Sequence, residues 1–216
     1  MKTTVISIQG KQFSYQDEAG DPYVFNPLTQ EDANNLLQLT DKLLNDCGIP
    51  YFLAFGTLLG AVREGDFIKG DEDVDIIISD EEKLYNSLPY LYEHGLYVNR
   101  IYREELYTFH TDGQHGHIDL YVMQDVVKPR IFRKRYIRIC HNLHPKRLFT
   151  GISNDGKYKL HGKPYPYPSN PEGALVHWYG HNWRIPQNKQ ADTFIFPVKI
   201  QRFVKRCIRK IQKSAH

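Results

Sequence analysis

Two aspartates one residue apart, at the entrance to a run of β-branched residues, constrain this chain more than any other feature. The segment Asp71-Glu72-Asp73-Val74-Asp75-Ile76-Ile77-Ile78 predicts a strand, because Val and Ile are stiff at Cβ and suit a pleated surface. Side chains at i and i+2 of a strand share a face. Asp73 and Asp75 then project together while Val74, Ile76 and Ile78 enter the core. Two like charges on one rigid face raise each other's pKa. A hard divalent cation between them relieves that repulsion, and oxygen donors favour magnesium, which takes one or two carboxylates with substrate phosphates and water. A solvated acidic turn ahead of a core strand is the plainer alternative. An EF-hand is not: Asp71, Asp73, Asp75 and Glu82 fit its spacing, but Ile76 stands where the loop requires glycine.

A second segment, His117-Ile118-Asp119-Leu120-Tyr121, repeats the device. Ile118 and Leu120 point one way and Asp119 the other, on the same face as His117. Taken alone, Asp119 reads as a satisfied structural acid. Beside an Asp-x-Asp strand it reads as the third ligand of the same metal, with His117 as its neighbour.

Upstream lies Phe55-Gly56-Thr57-Leu58-Leu59-Gly60-Ala61-Val62-Arg63. A strand over Tyr51–Phe55 delivers the chain to Gly56, where a missing side chain permits close backbone approach. Thr57 is placed to cap the short helix that follows, whose free N–H groups form an anion site. Arg63 can reach a phosphate bidentately, or pair with Glu64 or Asp66. A phosphate cradle shortly before a metal clamp is equipment for phosphoryl-group transfer.

The remaining chain reads as one globular body. Thr29 with Asp32 caps a helix over 30–47, stopped by Gly48 and Pro50. A hairpin over 3–15, a helix over 80–94 capped by Ser79, and strands over 96–102, 106–110 and 117–123 follow the same logic. Arg130–Ile139 has β-like character, 161–171 reads as an extended proline-rich loop, and a short helix covers 172–179. Strands and helices alternate without a strict βαβ rhythm, so a mixed sheet in an α+β domain is expected over 1–198, with 1–28 as a peripheral hairpin. Three scattered cysteines and no apolar leader in MKTTVISIQGKQ predict reduced thiols and a cytoplasmic address.

Net charge is +3, unevenly distributed. Seven Lys/Arg and no acid lie between Lys199 and the end, eight more lie between Lys128 and Arg147, and residues 1–198 taken together are mildly acidic. This suits phosphate-bearing partners or an anionic surface rather than nucleic acid, for which no known module is visible. In Lys199–Lys213 the apolar Ile200, Phe203, Val204, Cys207, Ile208 and Ile211 segregate from the cations at helical spacing. That predicts a basic amphipathic helix over 199–216, either lying on an anionic membrane or packed on the body.

Gly56-Thr57, Asp73-x-Asp75 and Asp119 together resemble the nucleotidyltransferase-fold signature. More narrowly, GTLLGAVREGDFIKGDEDVDI over 56–76 resembles the hallmark segment of the LicD family. That family includes bacterial phosphocholine transferases and is similar to the fukutin-related ribitol-phosphate transferases. Trp178-Tyr179-Gly180, then Trp183 and Pro186, resembles the family's closing pattern, and the resemblance spans 35–187. It implies a nucleotidyltransferase-like sheet flanked by helices and a transferase dependent on Mg2+ or Mn2+. A phosphocholine or polyol phosphate would move from a CDP-linked donor to a sugar hydroxyl of a lipopolysaccharide, capsule or teichoic-acid-like glycan. Asp73, Asp75 and Asp119 would hold the metal, while Gly56, Thr57, Arg63 and His117 would contact substrate and phosphate. One of the aspartates or Glu72 would serve as base. Tyr165, Tyr167, Trp178 and Trp183 are candidates for a sugar-stacking wall. Two alternatives stay open: nucleotidyl transfer onto a small molecule, and a non-catalytic role in glycan assembly.

Overall fold

The computed structural model describes residues 3–8, 10–16, 28–112, 116–126 and 135–186. The expected tail helix, the stretch 130–134, His115 and residues 17–27 of the expected N-terminal hairpin region lie outside them. The chain divides into two compact units, one through Pro171 and one from Glu172.

The first unit is built on a mixed sheet. Its strands are β1 (Thr3–Ile8), β2 (Lys11–Gln16), β3 (Tyr51–Leu53), β4 (Asp73–Ile78), β5 (Tyr97–Tyr102), β6 (Leu106–His110), β7 (His117–Val126), β8 (Tyr136–Ile139) and β9 (Asn142–Pro145). Spatial order is β1-β2-β5-β6-β7-β4-β3, with β8 on the far half of β7 and β9 on β8. The hairpin therefore extends the main sheet, through a parallel pairing of Gln16 with Arg100. The pairing that matters most is parallel, β4 with β7, setting Val74 beside Ile118, Ile76 beside Leu120 and Ile78 beside Val122. These six are essentially inaccessible, which pins the register, since a one-residue slip would turn them all to the other face.

Helices α1 (Gln30–Asp46) and α3 (Glu81–Glu93) cover that apolar face. Tyr51, register partner of Ile78, donates to Asp41 of α1 at 2.7 Å, and Tyr107, register partner of Leu120, donates to Glu81 of α3. The Thr29 cap forms as expected, its hydroxyl accepting from Asp32 N–H at 3.0 Å. At α3 the cap is Asp80, accepting from Lys83 N–H at 2.9 Å, rather than Ser79. Both residues are competent caps, and the backbone turns helical one residue later than the sequence suggests. The proline-rich segment is less irregular than expected: Lys163–Pro164 and Tyr167–Pro168 form short antiparallel ladders with Lys159–Leu160 and Ile152–Ser153.

Helix α2 (Phe55–Arg63) lies against β4. Within the second unit, α4 (Pro171–Tyr179) is followed by a turn in which Arg184 pairs with Glu172 at 2.7 Å and lies over the Trp183 ring. Among the described residues no helix is long and apolar enough to cross a membrane.

Gly60 explains part of the α2 placement. A Cβ there would sit 2.5 Å from the Asp66 carbonyl oxygen and 3.3 Å from Ile68 N, so the glycine lets the loop at 66–68 close onto the helix. Alanine in a helix interior ordinarily gains about 1 kcal/mol over glycine. Here the sign reverses: Gly60→Ala should lose about 1–3 kcal/mol through overpacking against backbone, read as a lower urea midpoint at unchanged slope.

Candidate active site

The β4–β7 register sets Asp75 beside Asp119 and Asp73 beside His117. Because the intervening residues are locked into the core, all four side chains emerge on the opposite face. Asp75, Asp119 and His117 are 6%, 5% and 6% exposed, and Asp73 is partly open. His117 Nε2 lies 3.8 Å from Asp119 Oδ1 and 3.9 Å from Asp73 Oδ2. Ligand atoms of Asp73, His117 and Asp119 all fall within 4.8 Å of one another. Asp75, expected in the same metal set, turns its Oδ2 toward Gly56, whose N–H donates to it at 3.2 Å.

The strand–turn–helix before it is built differently from the sequence reading. The helix begins at Phe55, preceded by Ala54 as a cap without a side-chain bond. Phe55 has φ +38°, a left-handed conformation that bulky residues avoid and that concentrates at functional sites. Thr57 consequently stands inside the helix and is not its cap. Its buried hydroxyl instead accepts the Asp75 backbone N–H at 2.8 Å, while Ala54 N–H donates to the Asp75 carbonyl at 3.1 Å. Gly56 is needed for space: a Cβ would stand 2.7 Å from Asp71 Oδ2. The helix N-terminus thus faces carboxylates, as its dipole favours.

Arg63 is at the far end of α2, about 10 Å along the axis from Gly56 at 1.5 Å per residue, and its guanidinium pairs with Glu64 at 2.7 Å. Glu72 is exposed, close enough for its charge to act on Asp73 and His117, yet outside the ligand cluster. Tyr165, Tyr167, Trp178 and Trp183 are 1%, 3%, 1% and 3% exposed; rings so enclosed offer no open stacking wall.

Four other residues complete the site. Thr108 on β6, register partner of Asp119, donates to its Oδ1 at 2.6 Å. Tyr121 OH stands 3.5 Å from Asp119 Oδ2. Asp71 closes the group beside Gly56. Arg100 on β5 reaches Thr108 Oγ1 at 3.3 Å and its positive charge acts on His117. The alternation Leu106-Tyr107-Thr108-Phe109-His110 already signals that Thr108 shares a face with His110. Arg100 carried no such signal.

The electrostatics follow from crowding. Burial, then the charges of Asp119, Asp71 and Glu72, push Asp73 up to about 7. Burial, then Asp73, Asp119 and Asp71, push Asp75 well above the usual carboxylate range. Burial holds His117 below its usual value against the pull of Asp119, so it is neutral at pH 7 and its contacts with Asp73 and Asp119 are not ion pairs. A neutral imidazole amid anionic oxygens is a donor set that a divalent cation satisfies. The cluster is compatible with such an ion.

Residues 48–148 match the family described as LicD/FKTN/FKRP, nucleotidyltransferase domain. The matched stretch contains the turn at Gly56, both carboxylate strands, Arg100 and Thr108. Similar solved structures include lincomycin-bound lincosamide antibiotic adenylyltransferase LnuA, at 13% identity over 77% of this chain and 93% of that one, with a TM-score of 0.49. Another is the antibiotic-resistance factor ANT(2'')-Ia, at 12% identity over 76% and 80% of the two chains, with a TM-score of 0.47. No curated protein matches the chain in sequence.

Asp73 makes a signed prediction for metal-free protein. A carboxyl whose folded pKa is about 7, against an ordinary value near 4 when unfolded, stabilises below pH ~4, and that stability is lost as pH rises through ~7. His117 works the other way below about 6.5, so the comparison must be differential. In EDTA, Asp73→Asn should equal wild type near pH 4 and become the more stable protein by pH 7.5, measured by urea unfolding at each pH. A constant difference across that range would remove the repulsion argument.

Proposed function

We propose, from the match of residues 48–148 to the LicD/FKTN/FKRP nucleotidyltransferase domain, that this protein transfers a substituted phosphate group from a CDP-linked small alcohol to a sugar hydroxyl. Phosphocholine or a polyol phosphate is the transferred group, and a cell-surface glycan the acceptor. The observation that carries this reading is the parallel register of β4 and β7, which gathers Asp73, Asp75, His117 and Asp119 on one face.

Asp73, His117 and Asp119 are the residues to hold Mg2+ or Mn2+, with Asp75 beside them. The ion, when bound, draws charge from the phosphoryl oxygens and the departing phosphate. The chain supplies the rest. Thr108 fixes the rotamer of Asp119; Gly56 and Thr57 fix Asp75 from its carboxylate and its backbone. Arg100 is assigned to the donor's phosphates, a role the sequence offered to Arg63; a planar guanidinium can fork onto two phosphate oxygens. The acceptor oxygen forms a bond to the phosphorus of the alcohol phosphate, the bond from that phosphorus to CMP breaks, and the acceptor proton passes to a site carboxylate or to solvent.

Turnover of a panel of CDP-alcohols with purified glycan acceptors, read by mass spectrometry, tests the reading. Release of CMP with the alcohol phosphate on the glycan supports it; a nucleoside monophosphate on the acceptor would establish nucleotidyl transfer instead. In that assay Asp73→Asn and Asp119→Asn should each lose more than tenfold in kcat, over about 1.4 kcal/mol. Arg100→Lys should cost more in kcat/KM than Arg63→Lys. The reverse order would return the phosphate role to Arg63.

The basic segment Lys199–Lys213 is proposed to hold the protein on an anionic cytoplasmic membrane surface, near a lipid-linked acceptor. Salt-sensitive co-sedimentation with anionic liposomes, lost in a 1–198 truncation that remains folded, is the expected outcome. Equal binding by the truncation would sink the idea.

A further inference from the structure

A second feature adjoins the carboxylates on the β5 side of the sheet. Thr108 and His110 are two apart on β6 and so share a face, about 7 Å from one another at the usual strand rise. His110 is the register partner of Tyr97 on β5, and a bulge between Val98 and Arg100 turns Asn99 out of the ladder. Around His110 and Tyr97 is a cavity of about 490 Å3, whose walls also include Ser14 of β2, Tyr92 of α3, Asn99 and Asp112. We propose that this cavity seats a neutral saccharide, the acceptor whose hydroxyl enters the carboxylate site.

Three observations carry the assignment. The walls are aromatic edges and uncharged or acidic polar groups. Tyr92 meets Tyr97 edge-on at 4.6 Å, and Tyr97 meets His110 edge-on at 5.7 Å. No Lys or Arg is among the described residues of the lining. Asp112 lies close enough to Tyr97 to hydrogen-bond its phenol and push its pKa up. Such walls repel a phosphate and suit a ligand with apolar C–H faces and hydroxyl edges.

The second observation is an unmet bond. His110 Nδ1 is buried with no hydrogen-bond partner among the described residues, whereas buried polar groups are nearly always paired. A ligand hydroxyl in the cavity would supply the partner. Burial also holds His110 below its usual pKa, so at neutral pH the ring offers a neutral nitrogen. The third is reach. A sugar ring against His110 and Tyr97 is about one residue pair from the Thr108–Asp119 bond, the distance a hydroxyl must cover to meet the site. The bulge leaves Asn99 out of the ladder at the cavity wall.

The inference rests on the phosphate-transfer reading for the word acceptor, but not for binding itself, so the two can fail separately. The probes are methyl glycosides of glucose, galactose, N-acetylglucosamine and N-acetylgalactosamine. They are added to the full chain without metal or donor and followed by saturation-transfer NMR. At least one should bind with a Kd on the order of 10 mM or tighter. Asn99→Ala and His110→Gln, each checked for native unfolding behaviour, should weaken it by at least ~5-fold, while CDP binding in Mn2+ stays unchanged. Absence of saturation transfer from all four glycosides, or equal binding by both variants, overturns the assignment. Should a glycoside bind here while no CDP-alcohol is ever turned over, the cavity stands and the phosphate-transfer reading falls.

Discussion

Parallel pairing of β4 with β7 is the constraint on which the rest depends. It sets two aspartates of one strand against a histidine and an aspartate of the next, and it does so because the alternating Val, Ile and Leu side chains between them are buried. Hydrophobic burial therefore supplies the force that keeps like charges together. The fold bears the resulting repulsion in its carboxyl groups, two of which hold their protons to higher pH than a carboxyl in water. A site assembled on loops would relax by moving apart. This one sits on two strands that are each paired on both sides, and cannot.

The rest of the first unit reads as support for that pair of strands. β6 contributes Thr108 to Asp119, β5 contributes Arg100 to Thr108, and α2 contributes Gly56 and Thr57 to Asp75. α1 and α3 stay on the opposite face, where they cover the apolar residues that fix the register. The mixed α+β architecture follows from this division: one face of the sheet is given to packing and the other to chemistry.

Much of this was legible in the sequence, for a definite reason. The β-branched run after Asp73 and the alternation around Asp119 are local signals, and the period-2 rule converts them directly into shared faces. The capping pair Thr29–Asp32 is equally local. What stayed hidden depends on tertiary placement. Thr57 looked like a cap because it follows a glycine after a strand, but the left-handed Phe55 starts the helix three residues earlier and turns that hydroxyl to the strand. Arg63 lies near the turn in sequence, and a nine-residue helix sets it at the opposite end from Gly56. Arg100 is far along the chain and arrives through two strand pairings and a bulge that no short-range pattern announces. The imidazole of His117 was seen as a neighbour of the aspartates; only the cross-strand register reveals it between Asp73 and Asp119.

Asp75 is gripped from three directions by one short stretch of chain: its N–H by Thr57, its carbonyl by Ala54 and its carboxylate by Gly56. The strand end and the helix entry are therefore one mechanical part, although eighteen residues of sequence separate Thr57 from Asp75. Anyone grafting this chemistry onto another sheet would have to transplant 54–57 and 73–75 as a unit, in register, since either half alone loses the geometry of the other. The intervening loop, 64–72, is itself tied in, by Asp71 beside Gly56, by the backbone at 66–68 beneath Gly60 and by Phe67 in the core.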